Sequence, residues 1–385
     1  MKKKISIGIF CAVVYGFTIA SILTPETEYS KRENRILTIR ADLIFDLDFA
    51  DTYEEYVSDQ FFLRDSWVNL TTGVLSALGK TDINGVYIGE DGYLIERYTE
   101  EDFDRELVEY NIDILAEFLN EMTDCYGSDH VDLFLIPAKA GAMPDYLPDY
   151  AQMYVETETV KAIRELLTEP KILTDLTETL KAHQDEYIYY RTDHHWTTLG
   201  AYYAYEAYAQ KSGFTIQPQD SFETEEVTDS FYGTTYNSLQ LDVPSDTITL
   251  YHSEAEENVT ITIVGDTIED VTSFYFEEAL SDSGDSQEES GMYSVFLGGN
   301  TEKIVIDTGA DTGRTLLLLK DSFANCFIPF LANDFDRIIM IDLRYSDTID
   351  VYLEEYGDEI SDLLVLYNIE KFMQDESVDL LNTYE

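Results

Sequence analysis

The chain has 385 residues, long enough for one large domain or two modest ones, and its 44% hydrophobic and 13% aromatic content suits a folded protein. Its formal net charge is −53, and beyond residue 40 only 17 Lys and Arg face 74 Asp and Glu. So negative a surface repels phosphate, which argues against nucleic acid as a partner; the acidity reads as solubility or a cation-rich setting, with a cationic partner as the other reading.

Lys2, Lys3 and Lys4 precede an uncharged run over residues 5–23, and Pro25 follows. A run of that length at ~1.5 Å rise per residue nearly matches a hydrocarbon core of about 30 Å. Positive charge ahead of it keeps the N-terminus cytoplasmic and puts the rest outside. Residues 1–24 are therefore read as a signal anchor or a signal peptide, and 25–47 as a juxtamembrane segment. The run's length and the lack of a small-x-small site before Pro25 favour the anchor, with membrane contact through 5–23. The expected location is extracytoplasmic, membrane-anchored, or secreted if the segment is cleaved. Cys11 sits inside the run; Cys125 and Cys326 could pair or remain free thiols, and no cysteine spacing suits a metal.

Residues 48–78 carry apolar positions at helical spacing, with Asp59-Gln-Phe-Phe-Leu-Arg-Asp65 as a break between two helices. Residues 85–95 read as a hairpin around Glu90-Asp91-Gly92. Helices are predicted at 106–126, 157–167, 173–182 and 198–211, the last closed by Gly213. Strands are predicted at 131–136, 187–190, 315–320, 337–342 and 363–367, with a helix over 323–331. Short continuous apolar strands between helices indicate an α/β domain over 48–385, its mostly parallel sheet covered on both faces. Within it, about 215–306 is polar and β-rich and reads as an insertion; its acidic stretch 281–290 reads as a mobile loop.

Two short pieces point to chemistry. At the end of the 187–190 run stands Asp193-His194-His195-Trp196. Residues two apart share a side in extended backbone, so Asp193 and His195 are expected to lie together, with His194 and Trp196 turned away. A carboxylate beside an imidazole fixes its tautomer and supports a general base. A structural histidine with Asp193 as a helix cap is the plainer alternative. The second piece is Asp321-Ser322, where the 315–320 strand meets a helix; a serine there has backbone N–H donors nearby for an oxyanion, although either residue could simply cap the helix. Weaker candidates at strand ends are Asn300 as an oxyanion donor, Arg344 and Tyr345 as a sugar or carboxylate contact, and Lys139 beside substrate. A metal hydrolase built on Asp193, His194 and His195 is disfavoured because adjacent side chains diverge, so neither a metal nor a cofactor is expected.

The tetrapeptide at 193–196, with Glu33-Asn-Arg35, Asp59-Gln-Phe-Phe-Leu-Arg-Asp65, Gly85-Val-Tyr-Ile-Gly-Glu-Asp-Gly-Tyr-Leu94, Tyr293-Ser-Val-Phe-Leu-Gly-Gly-Asn300, Lys320-Asp-Ser-Phe-Ala-Asn325 and Ile341-Asp-Leu-Arg-Tyr345, resembles the DHHW family of Gram-positive bacteria. That family is similar, more distantly, to the SGNH-like domains of alginate and cell-wall polysaccharide O-acetyltransferases. The resemblance implies an SGNH/flavodoxin-like fold and an Asp193, His195, Ser322 triad acting on a glycan, as acetyltransferase or esterase, and leaves room for a membrane acyl-donor protein. A non-catalytic envelope protein that binds polysaccharide or scaffolds an assembly machine is the alternative. Lys320 departs from the wider pattern, which has glycine before Asp-Ser.

Overall fold

The computed structural model describes residues 2–30, 35–41, 49–239, 241–265, 268–280 and 291–382. The predicted acidic loop at 281–290, and Glu33 and Asn34 of the resemblance, lie outside the described residues.

The main sheet is built, in chain order, from β1 (Val131–Ile136), β2 (Leu173–Asp175), β3 (Thr260–Val264), β4 (Ile268–Val271), β5 (Lys303–Asp307), β6 (Thr315–Lys320), β7 (Arg337–Ile341) and β8 (Asp362–Asn368). Their spatial order is β4-β3-β5-β7-β6-β8-β1-β2. The five strands from β7 to β2 run parallel. Side-chain alternation divides their apolar residues between two cores. Leu316, Leu318, Leu364 and Leu366 face the side covered by the helix Thr198–Ser212. Leu317, Leu319, Leu363 and Val365 face the helices Arg105–Tyr126 and Glu156–Leu166. Burial on both faces is why these strands read as unbroken apolar runs, and it makes the domain an α/β fold with a mostly parallel sheet covered by helices, as expected.

Three expectations change. The 215–306 segment is only partly an insertion: Glu223–Phe231 and Asp246–His252 form their own antiparallel pair, while β3, β4 and β5 extend the main sheet as antiparallel strands. The start of the predicted 173–182 helix is the edge strand β2, and the helix is Thr177–Lys181, because Asp175 accepts from the Thr177 backbone and starts it there. Residues 187–190 are not a strand; they make a single bridge, Tyr189 to Trp196, within a tight turn of chain. Cys125 and Cys326 are both free, one exposed and one buried.

At the N-terminus, helix Lys2–Leu23 contains an apolar stretch, Ile5–Leu23, long enough to cross a membrane. Helices Phe49–Asp59 and Arg64–Ala77 follow, broken where Leu63 takes a left-handed backbone (φ 57°). Beyond them Asp82–Ile83, Val86–Ile88 and Leu94–Glu96 form a small antiparallel sheet that includes the predicted hairpin.

Leu318 is fully buried between β7 and β8, so Leu318→Ala should lower unfolding free energy by about 2–5 kcal/mol, read from the denaturant midpoint at unchanged slope.

Candidate active site

The C-terminal edge of the parallel strands gathers the sequence candidates. β6 ends at Lys320, and Ser322–Cys326 follows as a 3₁₀ turn leading to the single helical turn Ile328–Leu331, shorter and tighter than the predicted 323–331 helix. Asp321 holds this corner: Oδ1 accepts from the Phe323 backbone at 2.9 Å and Oδ2 from the Asn368 backbone at 2.7 Å, tying the turn to β8.

Opposite it, Tyr187 to Thr197 doubles back on itself, with the Tyr190 N–H on the His195 carbonyl and the Thr197 N–H on the Ile188 carbonyl. Asp193 closes a local turn by accepting from the His195 backbone at 3.0 Å, and the same oxygen lies 2.6 Å from His195 Nδ1. The two residues meet through this Asx-type turn, not through strand alternation. With Nδ1 donating to Asp193, His195 Nε2 is the acceptor facing Ser322 Oγ at 2.7 Å. Ser322 is 8% exposed, and Asp193 and His195 are buried. The His195 ring stacks on Tyr293 at 3.9 Å and contacts Phe323 at 4.8 Å, while Trp196 Nε1 donates to the Phe323 carbonyl at 2.9 Å. The two distant pieces of chain are thus joined at three points.

The second Asp193 oxygen accepts from Thr234 N at 2.9 Å and Thr234 Oγ1 at 3.1 Å. Burial pushes the Asp193 carboxyl up, but the neighbouring His194 and His195 and its hydrogen bonds outweigh that and hold it well below the usual range. Gly233 is required here, since a Cβ would sit 2.2 Å from the Asp193 side chain.

Comparison with known proteins finds a family match and several similar proteins. Residues 171–341 match the DHHW protein family. Over 178 residues the chain is 28% identical to the probable alginate O-acetylase AlgJ of Pseudomonas syringae pv. tomato, a match covering 45% of this chain and 44% of that protein. It therefore spans less than half the length of that relative. The fold is similar to that of a DHHW family protein from Eubacterium siraeum (TM-score 0.59, 26% identity, 78% of this chain and 95% of that one). It is also similar in fold to Bacillus cereus PatB1 with a sulfonyl adduct (TM-score 0.60, 17% identity, 80% of this chain and 99% of that one).

The DHHW tetrapeptide differs from its predicted geometry at His194, which does not turn away. The bend brings its ring 3.9 Å from that of His195, and Nδ1 pairs with Thr234 Oγ1 at 2.9 Å. Burial, then the His195 charge, pushes His194 down to about 3, so it is neutral at pH 7. Asp193, His194 and His195 thereby place ligand atoms within 4.8 Å of one another, closer than adjacent residues were expected to come. Both Asp193 oxygens and both His195 nitrogens already have hydrogen-bond partners, so the donor set suits a hydrogen-bonded relay better than a metal.

The weaker candidates fall into two groups. Lys139 is buried and donates to the carbonyls of Leu94 at 2.8 Å and Asp193 at 2.6 Å, so it holds the turn; it also lines a narrow pocket with Glu96, His194, Phe323 and Glu370. Asn300 gives its amide oxygen to Lys320 Nζ at 3.1 Å and Asn325 Nδ2 at 3.3 Å. Arg344 pairs with Asp342 at 2.7 Å and lines a pocket with Asp321 and Lys371. Tyr345 is part-exposed, with the Arg344 guanidinium 5.5 Å from its ring. Lys320 reaches Asp342 at 3.1 Å, so the residue in the glycine position is neutralised internally. Gly233, Thr234 and Asp246 were not singled out from the sequence, since no spacing pattern marks them, and Tyr293 entered only as the first residue of a resemblance stretch, with no role assigned.

Burial pushes the Lys139 ammonium down to about 8, against about 10.4 in an unfolded chain. Between those values the unfolded state binds more protons, so this group makes stability rise with pH. The unfolding free energy of the native chain minus that of Lys139→Met should therefore climb from pH 8 to pH 10 in denaturant titrations; a flat difference would contradict the burial of a charged Lys139.

Proposed function

We propose that the chain is an extracytoplasmic O-acetyltransferase or acetylesterase acting on a cell-envelope or exopolysaccharide glycan, with Ser322 as nucleophile, His195 as general base and Asp193 orienting the imidazole. The observation that carries this reading is the unbroken line Asp193 Oδ1, His195 Nδ1, His195 Nε2, Ser322 Oγ, at 2.6 and 2.7 Å. The alginate O-acetylase name of the relative supports acetyl as the group and polysaccharide as the acceptor class.

In this mechanism His195 Nε2 takes the Ser322 hydroxyl proton as Oγ attacks the acetyl carbonyl of the donor. The tetrahedral intermediate collapses by breaking the bond to the donor oxygen, which leaves with the proton from His195. A glycan hydroxyl or water then gives its proton to His195, attacks the acetyl-Ser322 ester and restores the serine. Asp193 stays ionised and stabilises the imidazolium. Tyr293 and Phe323 against the ring limit water at the base. The N-terminal apolar helix supports placing this chemistry outside the membrane, on an anchor or after a cleaved signal peptide.

The full chain in detergent micelles, turning over a chromogenic acetyl ester, tests the reading. Ser322→Ala should lose at least about 10³-fold in turnover together with labelling by a fluorophosphonate probe, and Asp193→Asn about 10³–10⁴-fold with its circular dichroism unchanged. Equal turnover by native chain and Ser322→Ala would leave a non-catalytic, polysaccharide-binding envelope protein. With an oligosaccharide acceptor present, mass spectrometry of the acceptor divides transfer from hydrolysis.

A further inference from the structure

The two helices after the apolar N-terminal helix leave large apolar side chains uncovered. On Phe49–Asp59 these are Phe49, Tyr53 and Val57, four residues apart and so on one stripe. Along Arg64–Ala77 and its flanks they are Leu63, Trp67, Leu70, Val74 and Leu78, three or four residues apart. A stripe at that period is what a globular protein ordinarily buries. Among the described residues the core of the domain covers the other side of the second helix, with Thr72 buried and Leu75 packed against Ile83, Val86, Leu94 and Leu239.

The apolar N-terminal helix indicates what covers the stripe. Phe17 lies 5.9 Å from the Phe61 ring, 6.2 Å from Phe62 and 5.7 Å from Trp67, and the Phe62 N–H donates to Ser21 Oγ at 3.0 Å. Phe17 stands six residues before Leu23, about 9 Å below the outer end of the helix. Interfacial helices sink their apolar faces about 5–10 Å into the boundary between headgroups and acyl chains, which is the depth Phe61 and Trp67 share with Phe17. The corner between the two helices is also bound to the chain leaving the apolar helix. Gln60 Nε2 donates to the carbonyls of Thr27 and Thr38 at 2.9 and 3.0 Å, and Asp59 accepts from the Thr38 backbone at 2.9 Å. The stripe is therefore continuous with the apolar helix and mounted on it.

We infer that helices Phe49–Asp59 and Arg64–Ala77 lie in the outer leaflet interface of the membrane, their apolar stripe in lipid, as a collar around the end of the apolar helix. The inference rests on that helix being retained as an anchor and is independent of the chemistry at Ser322. The strongly negative chain makes zwitterionic lipid the fitting occupant, since apolar contact rather than headgroup charge drives the association.

The chain has two tryptophans, Trp67 part-exposed and Trp196 fully buried, so Trp67 is a built-in depth probe. The full chain is reconstituted in phosphatidylcholine vesicles containing lipid brominated in the upper acyl chain. Emission lost on adding brominated lipid should be roughly twofold for the Trp67 component, should vanish in W67F and should shrink in L70E/V74E, with ester turnover unchanged in the latter. Absence of quenching in protein that sediments with vesicles after alkaline washing would overturn the collar while leaving the anchor. Blue-shifted yet unquenched Trp67 emission would mean that protein, a second copy or a partner, covers the stripe, and would equally overturn it. Release of the chain by alkaline washing would overturn both collar and anchor; the Ser322→Ala comparison reads the catalytic proposal separately.

Discussion

The site depends on one buried carboxylate that touches none of the reacting groups. The turn carrying Asp193 and His195 leaves regular structure, so the backbone donors of part-buried Arg191 and buried Thr192 have no ladder partners. Asp246, fully buried, supplies the acceptors: Oδ1 takes the Arg191 N–H at 2.7 Å and the Tyr187 hydroxyl, and Oδ2 takes the Thr192 N–H at 2.7 Å and the Thr192 hydroxyl. Asp246 begins one strand of the antiparallel pair whose other strand ends at Phe231, just before Gly233 and Thr234. One end of a single strand pair therefore clamps the turn from both sides, Asp246 on its backbone and Thr234 on the Asp193 carboxylate. The β-rich segment earlier read as an insertion is what holds the Asp193 turn in place.

Charge placement follows the same logic. In so acidic a chain, cations near the site are few, and Lys139, Lys320 and Arg344 are each committed to internal partners. Lys320 and Arg344 converge on Asp342, and burial, which alone would push that carboxyl up, is outweighed by the two cations. Leaving one member of such a buried group unpaired costs about 3–5 kcal/mol, so the network fixes the base of the Ser322 turn at the junction of β6 and β7. The ammonium of the buried Lys320 is satisfied by Asp342, Asn300 and Asn325 together. Asn300 and Arg344 were read from the sequence as substrate contacts, yet both belong to this internal network. Their remaining exposed atoms are the part available to a ligand.

How much of this was legible in the sequence follows from the range of each interaction. Strands β1, β6, β7 and β8 are buried on both faces, and a continuous apolar run reports that directly. The helices Arg105–Tyr126 and Thr198–Ser212 announce themselves by their sequence pattern, the second also by Gly213 at its end. The edge strand β2 has only Leu173 buried, so its pattern could pass for the start of a helix. The pairing of Asp193 with His195 was anticipated for an inexact reason: the spacing of two is right, but a turn and not a strand brings them together, which is why His194 lands beside His195. Thr234 and Asp246 lie 41 to 55 residues from the groups of the turn they hold, and nothing local distinguishes them from ordinary surface residues. Contacts of that range are set by topology, and only coordinates display them.

The clamp on the Asp193 turn also reaches toward the N-terminal helices. Lys139 joins the Asp193 carbonyl to the Leu94 carbonyl, and Leu94 packs in the small cluster that Leu75 of the second helix borders. A short series of packed and hydrogen-bonded groups thus runs from helix Arg64–Ala77 through the three-stranded sheet to the carboxylate facing His195. Each link is buried or part-buried, so the helix and the site move as one body to the extent that this packing is rigid. With the apolar stripe in lipid, that connection sets the height and tilt of the C-terminal strand edge above the membrane. On the proposed function, the same arrangement that satisfies a buried lysine sets the side from which a glycan would approach Ser322.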